Sequence, residues 1–198
     1  NMDYITYQNI YNTPLGTVQA KSDRKLNAIK SLEGAVLRNY VFENLGGITF
    51  SNQSEAWGMD SREISHGAAY ADLDNDGDLD LVVNNMNENA SVYENKSNEI
   101  YNRNYLRIKF EGPDRNRNGV GAKVMANAAN QKQLMEHFLN RGYESTVDAV
   151  MHFGLGNATS IDSLEVIWPD GHYQLLKDVK VNQELMLKYS SAEPGVEK

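Results

Sequence analysis

The sequence predicts a mainly β protein, in which a meander of short strands is followed by a second β unit. Short runs rich in Val, Ile, Tyr and Phe recur between polar turns, as they do in a meander. Residues 105–110 alternate between apolar and polar side chains, which is typical of a half-buried strand. Helical spacing near the start of the chain indicates a short N-terminal helical lead-in, so the expected fold is β with one leading helix.

The lead-in comprises residues 1–38. Its predicted helix begins after Ser22, a plausible N-cap, and carries apolar residues at helical spacing at Leu26, Ile29, Val36 and Leu37. From residue 39 the signals favour strands, and residues 39–98 form the first predicted β domain. Its strands are expected at residues 40–42, 48–50, 67–71, 80–84 and 91–94, with a Gly46-Gly47 turn and an acidic loop between them.

A polar segment, residues 98–104, is expected to mark a boundary before the second domain, residues 104–190. Its strands are predicted at residues 105–110, 148–153, 164–168, 173–176 and 184–189, with a hairpin turn at Pro169-Asp170-Gly171. Residues 132–140 have helical spacing but a length that suits either a helix or a strand. We predict a strand there, on the family resemblance described below.

Bulk composition excludes several classes of protein. The 198 residues suffice for one large or two small domains, and no run of 18 apolar residues exists, so no membrane span is expected. The absence of cysteine excludes disulfides, thiolate metal sites and a cysteine nucleophile. No secretion signal is visible in this chain.

The acidic residues are concentrated in one part of the chain. The net charge is −8, and the window from Glu55 to Glu94 holds ten acidic residues against one basic residue, Arg62. Because the remainder is nearly neutral, the pattern favours a cation site and disfavours a nucleic-acid partner.

The loop from Asp72 to Asp80 carries the clearest chemical signal. Carboxylates stand at its first, third, fifth and ninth positions, with Gly77 at the sixth, where a residue without a Cβ permits a sharp turn. Calcium prefers six to eight oxygen ligands, and alternate side chains of a tight loop can reach one centre. The predicted metal ligands are Asp72, Asp74, Asp76, Asp78 and Asp80, with Asp78 contributing its backbone carbonyl and its side chain left free.

This loop has two other interpretations. A solvated acidic turn is the simpler one, but five aspartates in nine residues would repel one another without a cation. An EF-hand is rejected because its twelfth position, which requires a glutamate, is Val83, and because both flanks indicate strands.

The segment from Ser65 to Asn87 resembles an FG-GAP/VCBS repeat, the calcium-loop blade unit of integrin-type β-propellers, and residues 39–50 resemble the outer strands of such a blade. Four later motifs resemble the ASPIC/UnbV domain: Asn118-Gly119-Val120-Gly121-Ala122, Arg141-Gly142-Tyr143-Glu144-Ser145, His152-Phe153-Gly154-Leu155-Gly156 and Trp168-Pro169-Asp170-Gly171. The resemblance implies a propeller-blade-like meander followed by a C-terminal β-sandwich-like domain.

The resemblance also implies a function. We expect a calcium-binding extracellular, cell-surface or periplasmic module that binds or supports other molecules and is not an enzyme. Because a single blade cannot bury both of its faces, the chain is expected to be the C-terminal part of a longer propeller protein. Candidate partners are calcium, a carbohydrate or protein ligand, and a second copy associating through blade edges, whereas no nucleic acid is expected.

The alternative is a carbohydrate-active enzyme or carbohydrate-binding module that uses groups outside the loop. Glu136, Glu144 and Asp148 are candidate carboxylates, and Trp57 and Trp168 could stack on a sugar ring. The four histidines lack the paired spacing of a zinc site, and no nucleophile elbow accompanies Ser65 and His66. Residues 141–145 are the best binding candidate outside the loop, with a strand entry as the simpler interpretation.

Overall fold

Strands dominate the architecture, as predicted. The structure is a computed structural model that describes residues 22, 23, 27, 38–86 and 88–195. The chain divides into two units, residues 1–65 and 66–198. Among the described residues, no helix is both long enough and apolar enough to cross a membrane.

The first unit contains an antiparallel hairpin of β1 (Phe42–Asn44) and β2 (Phe50–Asn52). Gly46 and Gly47 adopt positive φ angles of 105° and 60° in the turn, which glycine permits because it has no Cβ. Both strands begin two residues later than predicted. Ser22, Asp23 and Asn27 are helical, and the remainder of the predicted lead-in helix lies outside the described residues.

The second unit opens with a three-stranded sheet in the order β3-β4-β5. These strands are β3 (Ser65–Ala71), β4 (Asp80–Asn85) and β5 (Ser91–Tyr93), and β4 pairs antiparallel with β5. A short helix, α1 (Ser97–Tyr101), follows where an irregular boundary was expected. The helix ends at Asn102, which takes the left-handed conformation common at helix C-termini.

The remainder of the second unit is built from two further sheets. Its strands are β6 (Asn104–Glu111), β7 (Lys123–Ala128), β8 (Gln131–Glu136), β9 (Met151–Gly156), β10 (Ser160–Ile167), β11 (Tyr173–Lys180) and β12 (Gln183–Lys188), followed by a 3-10 turn, Tyr189–Ser191. One sheet has the antiparallel order β11-β10-β7-β8. The other has the order β12-β6-β9, in which β12 runs parallel to β6.

Apolar side chains from these two sheets form the core. Alternate residues of β6 point into it, and Trp168, which closes β10, is 1% exposed. The buried cluster consists of Leu106, Ile108, Phe110, Ala122, Val124, Ala126, Ala128, Met151, Phe153, Leu155, Ala158, Ile161, Leu164, Val166, Trp168, Val179 and Leu187. Two sheets that bury alternate residues against each other form the expected β-sandwich-like domain.

One prediction about this domain is confirmed, and one of its strands was not predicted. Within the ambiguous segment 132–140, residues 132–136 belong to β8, so the prediction of a strand is confirmed over those residues. Strand β7 was not predicted, because its sequence mixes small, charged and apolar residues; it is buried through its pairing with β8 and β10.

Candidate metal centre

The acidic loop connects β3 to β4, so the two strands set the positions of its ends. Two residues within it take left-handed conformations, Asn75 with φ 64° and Gly77 with φ 94°. A Cβ on Gly77 would overlap the ring of Tyr105. Glycine is therefore required at this position both by the backbone conformation and by the close approach of an aromatic ring.

The turn brings three predicted ligands together. Asp72, Asp74 and Asp76 each offer a carboxylate oxygen, and these oxygens lie within 4.8 Å of one another. Calcium lies about 2.3–2.6 Å from each oxygen that it binds. Carboxylate oxygens within 4.8 Å of one another can therefore share one ion. The chemistry of this donor set, all hard oxygen, suits calcium.

Asp72 has two oxygens in different surroundings. Its side chain is 3% exposed, and its Oδ2 accepts a hydrogen bond from Arg107 Nη1 at 2.7 Å. Its Oδ1 is buried and has no hydrogen-bond partner among the described residues. A buried carboxylate oxygen without a partner is costly, and a bound cation would satisfy it.

Asp78 differs from the prediction that its side chain is free. The residue is 5% exposed, and its Oδ2 accepts hydrogen bonds from Ser97 Oγ and from the backbone N–H of Asn98 at 3.2 and 3.0 Å. Burial raises the pKa of the Asp78 carboxyl, since desolvation penalises the ionised form, while the Asn98 hydrogen bond opposes this. The side chain therefore anchors the loop to α1, and its Oδ1 has no partner within the described chain.

Asp80 lies outside the group of three carboxylates. It is 3% exposed, and its Oδ2 and Oδ1 accept hydrogen bonds from the backbone N–H groups of Leu73 and Asn95, each at 2.9 Å. These bonds close the loop across its ends and tie it to the chain after β5. Asp80 is thus positioned by two donors, with room for a third contact on either oxygen.

Several residues that the sequence did not predict hold the loop in place. Asn95 Nδ2 and Asn98 Nδ2 donate to the carbonyls of Leu79 and Asp76 at 3.1 and 2.9 Å. His152 Nε2 donates to the Gly77 carbonyl at 2.8 Å. A polar cluster shortly after β5 was a local signal for the first two contacts, whereas nothing in the sequence near residue 152 indicates the third.

The other predicted candidates lie elsewhere. Trp168 packs edge-on against Phe110 and Tyr189, at centroid distances of 5.7 and 5.3 Å, so it presents no surface to a sugar, whereas Trp57, in the first unit, is exposed. Glu136 and Glu144 are exposed, and Arg141 Nε donates to the Tyr70 hydroxyl at 3.1 Å. That contact gives the segment 141–145 a packing role.

The histidines are also dispersed. His66 lies beside the ring of Tyr143, and His172 contacts Asp170 and Tyr189 on the surface. His137 is buried against Phe110, and burial lowers its pKa below the usual range. Each of these three histidines therefore packs against a different neighbouring ring.

Most of the sandwich matches a known domain family. Residues 112–194 match the family model described as ASPIC and UnbV, so the chain carries an ASPIC and UnbV domain. The matched segment begins one residue after β6 and ends three residues after the 3-10 turn.

Among known proteins, the chain is similar to cartilage acidic protein 1. The Homo sapiens protein is 33% identical over 112 residues, which cover 53% of this chain and 16% of that protein. The Xenopus tropicalis protein is 32% identical over 145 residues, which cover 67% of this chain and 21% of that protein. The chain therefore spans about a sixth to a fifth of the length of these curated relatives.

Proposed function

We propose that this chain is a calcium-binding extracellular module with a structural or binding role, and not an enzyme. In this module the loop Asp72–Asp80 holds one calcium ion. The observation that carries the proposal is the convergence of oxygens from Asp72, Asp74 and Asp76 within 4.8 Å, together with the buried Oδ1 of Asp72, which has no hydrogen-bond partner among the described residues. Three carboxylates this close repel one another unless a cation lies between them. Arg107 supplies one positive charge, which leaves the group with an excess of negative charge.

Calcium suits this loop better than magnesium. Calcium accepts irregular arrangements of six to eight oxygens, including backbone carbonyls, whereas magnesium requires near-octahedral geometry and retains several waters. The loop supplies carboxylates on a backbone that turns through two left-handed residues, Asn75 and Gly77. The Asp78 backbone carbonyl and the Asp80 carboxylate complete the proposed donor set.

The experiment is thermal unfolding with excess EDTA and with about 1 mM calcium. If the dissociation constant is about 10⁻⁴ M, as in extracellular calcium modules, 1 mM calcium adds about 1.4 kcal/mol of stability. For a chain of this size that corresponds to a rise of about 3–6 °C in Tm. Coincident melting curves, together with no calcium uptake in a binding titration, would overturn the proposal.

Three variants separate ligation from support of the loop. Asp76→Ala should abolish the calcium-dependent rise in Tm and change the EDTA curve less than Asp78→Ala does, because the Asp76 side chain is exposed and accepts one hydrogen bond, from the Asp78 backbone N–H. Asp78→Ala should lower Tm even in EDTA, because the substitution deletes a buried carboxylate that accepts two hydrogen bonds. Asp114→Ala, at an aspartate whose side chain is 99% exposed outside the loop, should leave both curves unchanged.

The finer part of the proposal concerns the longer protein. We propose that residues 39–98 form an FG-GAP/VCBS-like repeat that works beside further repeats of a secreted propeller protein, with a carbohydrate or protein ligand. The similarity to cartilage acidic protein 1 supports an extracellular location. The hairpin of the first unit supports further packing, since Ile48 is 96% exposed and Phe42 and Phe50 are more than half exposed. A complete coding sequence without further loops of this kind would contradict the repeat assignment.

A further inference from the structure

The acidic loop lies on residues that belong to the C-terminal sandwich. Strand β6 alternates, so that Leu106 and Ile108 enter the core while Tyr105, Arg107 and Lys109 lie on the opposite face. In the register with β9, Arg107 stands directly opposite His152. Arg107 and His152 are therefore neighbours on the outer face of the sheet, and both contact the loop.

Arg107 holds one oxygen of a predicted ligand and leaves the other unpartnered. Its Nη1 donates to Asp72 Oδ2 at 2.7 Å, and its side chain is 16% exposed against 3% for Asp72. The second nitrogen, Nη2, lies 3.4 Å from Glu184 of β12, whose other oxygen accepts from Lys109 Nζ at 2.9 Å. This network fixes the Arg107 guanidinium, which in turn fixes the orientation of Asp72.

His152 acts on the turn of the loop. Its Nε2–H donates to the Gly77 carbonyl at 2.8 Å, and its ring stacks on Tyr105 at a centroid distance of 5.8 Å and an interplanar angle of 13°. The Tyr105 ring is the group that a Cβ on Gly77 would meet. The tip of the loop is thus held by a hydrogen bond and by an aromatic contact from the same face of the sheet.

We infer that Arg107 and His152 are positioning residues of the metal centre, so that calcium binding and the seating of the loop on the sandwich are one coupled event. The inference rests on the proposed calcium site. Groups that orient metal ligands typically change metal affinity by about 10–100-fold when they are removed. Because Arg107 engages only Oδ2, it presents Oδ1 to the ion instead of competing for the whole carboxylate.

The test is a calorimetric calcium titration of the metal-free protein and its variants. Arg107→Gln should weaken calcium binding about 10–100-fold. The matched control is Arg117→Gln, the same substitution at an arginine whose side chain is 81% exposed and which pairs with Asp114, outside the loop. That variant should bind calcium within about twofold of the unaltered chain, because a solvent-exposed charge is largely screened by salt.

A second measurement follows the coupling itself. In the unaltered chain and in Arg117→Gln, calcium should slow hydrogen exchange at the amides of β6 and β9, and in Arg107→Gln this protection should be lost. Arg107→Lys, which keeps a charge but not the planar pair of donors, should give intermediate affinity. His152→Phe, which retains the ring but not the hydrogen bond, should also weaken binding.

The outcomes are distinguishable. If the unaltered chain takes up calcium and Arg107→Gln binds it equally or more tightly, the positioning role is overturned and the calcium site stands. If the unaltered chain takes up no calcium, both the site and the coupling fail. If Arg107→Gln does not fold, Arg107→Lys and His152→Phe decide the question, and unchanged calcium affinity in both would overturn the inference.

Discussion

At the scale of single residues, three aspartates of the acidic loop have buried side chains, and each accepts hydrogen bonds from different donors. Asp80 satisfies both oxygens with backbone donors, and Asp78 satisfies one of its oxygens through Ser97 and Asn98. Asp72 satisfies one oxygen through Arg107. Among these three aspartates, Oδ1 of Asp72 and Oδ1 of Asp78 have no hydrogen-bond partner in the described chain, and a cation in the loop would compensate their negative charge.

His137 is a buried polar group of another kind, and it leads to a prediction about pH. Burial lowers its pKa, and the positive charge of Arg141 adds to this, while a hydrogen bond with the Asn118 backbone opposes it. The folded protein therefore favours the neutral ring, whereas the unfolded chain binds a proton near pH 6.5. Its contribution to stability is fully present above about pH 6.5 and is lost as the pH falls from there towards the lowered pKa.

The measurement is denaturant unfolding in EDTA at several pH values between 7.5 and 5.5. The loss of unfolding free energy should approach at most about 1.4 kcal/mol per pH unit from this one group. His137→Phe keeps an aromatic ring against Phe110 and removes the titration, so its stability should depend less on pH. Parallel pH profiles for the two proteins would show that His137 is not responsible.

At the scale of elements, β6 performs two tasks because successive side chains point to opposite faces. Its inward residues are in the core, and its outward residues contact the acidic loop and β12. A one-residue slip in its pairing would exchange the two sets, placing Arg107 in the core. Pairing with β9 on one side and β12 on the other fixes the register.

Strand β10 gives a quantitative prediction about the core. It lies between β7 and β11, and its Leu164 is fully buried. Leu164→Ala should lower the unfolding free energy by about 2–5 kcal/mol, because the substitution removes apolar contacts and leaves a cavity. The matched control is Leu175→Ala on β11, where the same change is made at a side chain that is 47% exposed.

Chemical denaturation checks this comparison, with both variants measured in EDTA so that metal binding does not contribute. The control should cost less than about 1 kcal/mol, since a half-exposed side chain loses few core contacts. Equal losses at the two positions would contradict the assignment of Leu164 to the centre of the core.

At the scale of the whole molecule, several of the described basic side chains are engaged by neighbouring groups. Arg107 and Lys109 pair with Asp72 and Glu184, Arg103 lies over the ring of Tyr101 at 5.5 Å, and Arg117 lies near Asp114. The net charge of −8 adds a general repulsion towards phosphate. The contacts of these basic side chains and the net negative charge therefore both disfavour a basic groove of the kind that binds nucleic acids.

The corresponding prediction is that the chain binds neither single- nor double-stranded nucleic acid with micromolar affinity. A filter-binding assay at about 50 mM salt is the most permissive condition, because low salt strengthens phosphate contacts. Retention at micromolar protein that falls steeply as salt is added would contradict the prediction. Calcium should be included in a parallel series, since one bound ion cancels only two of the negative charges.

The sequence by itself determined the features that depend on neighbouring residues. The alternation of β6, the hairpin turn at residues 169–171, the strand at residues 132–136 and the acidic turn with its glycine are all local patterns, and the motifs that resemble the ASPIC/UnbV domain lie in the region that the family model matches. Spacing in the chain determines which way successive side chains point, so such patterns can be predicted without knowing the fold.

Only the tertiary structure decided which side chains support the loop. Arg107 is 35 residues from Asp72, and His152 is 75 residues from Gly77, so no local pattern connects them. The parallel pairing of β12 with β6 brings Glu184 to Arg107, and α1 buries the Asp78 side chain that was expected to be free. These contacts depend on how sheets and loops pack, and that packing is set by burial of the whole core and not by any one segment.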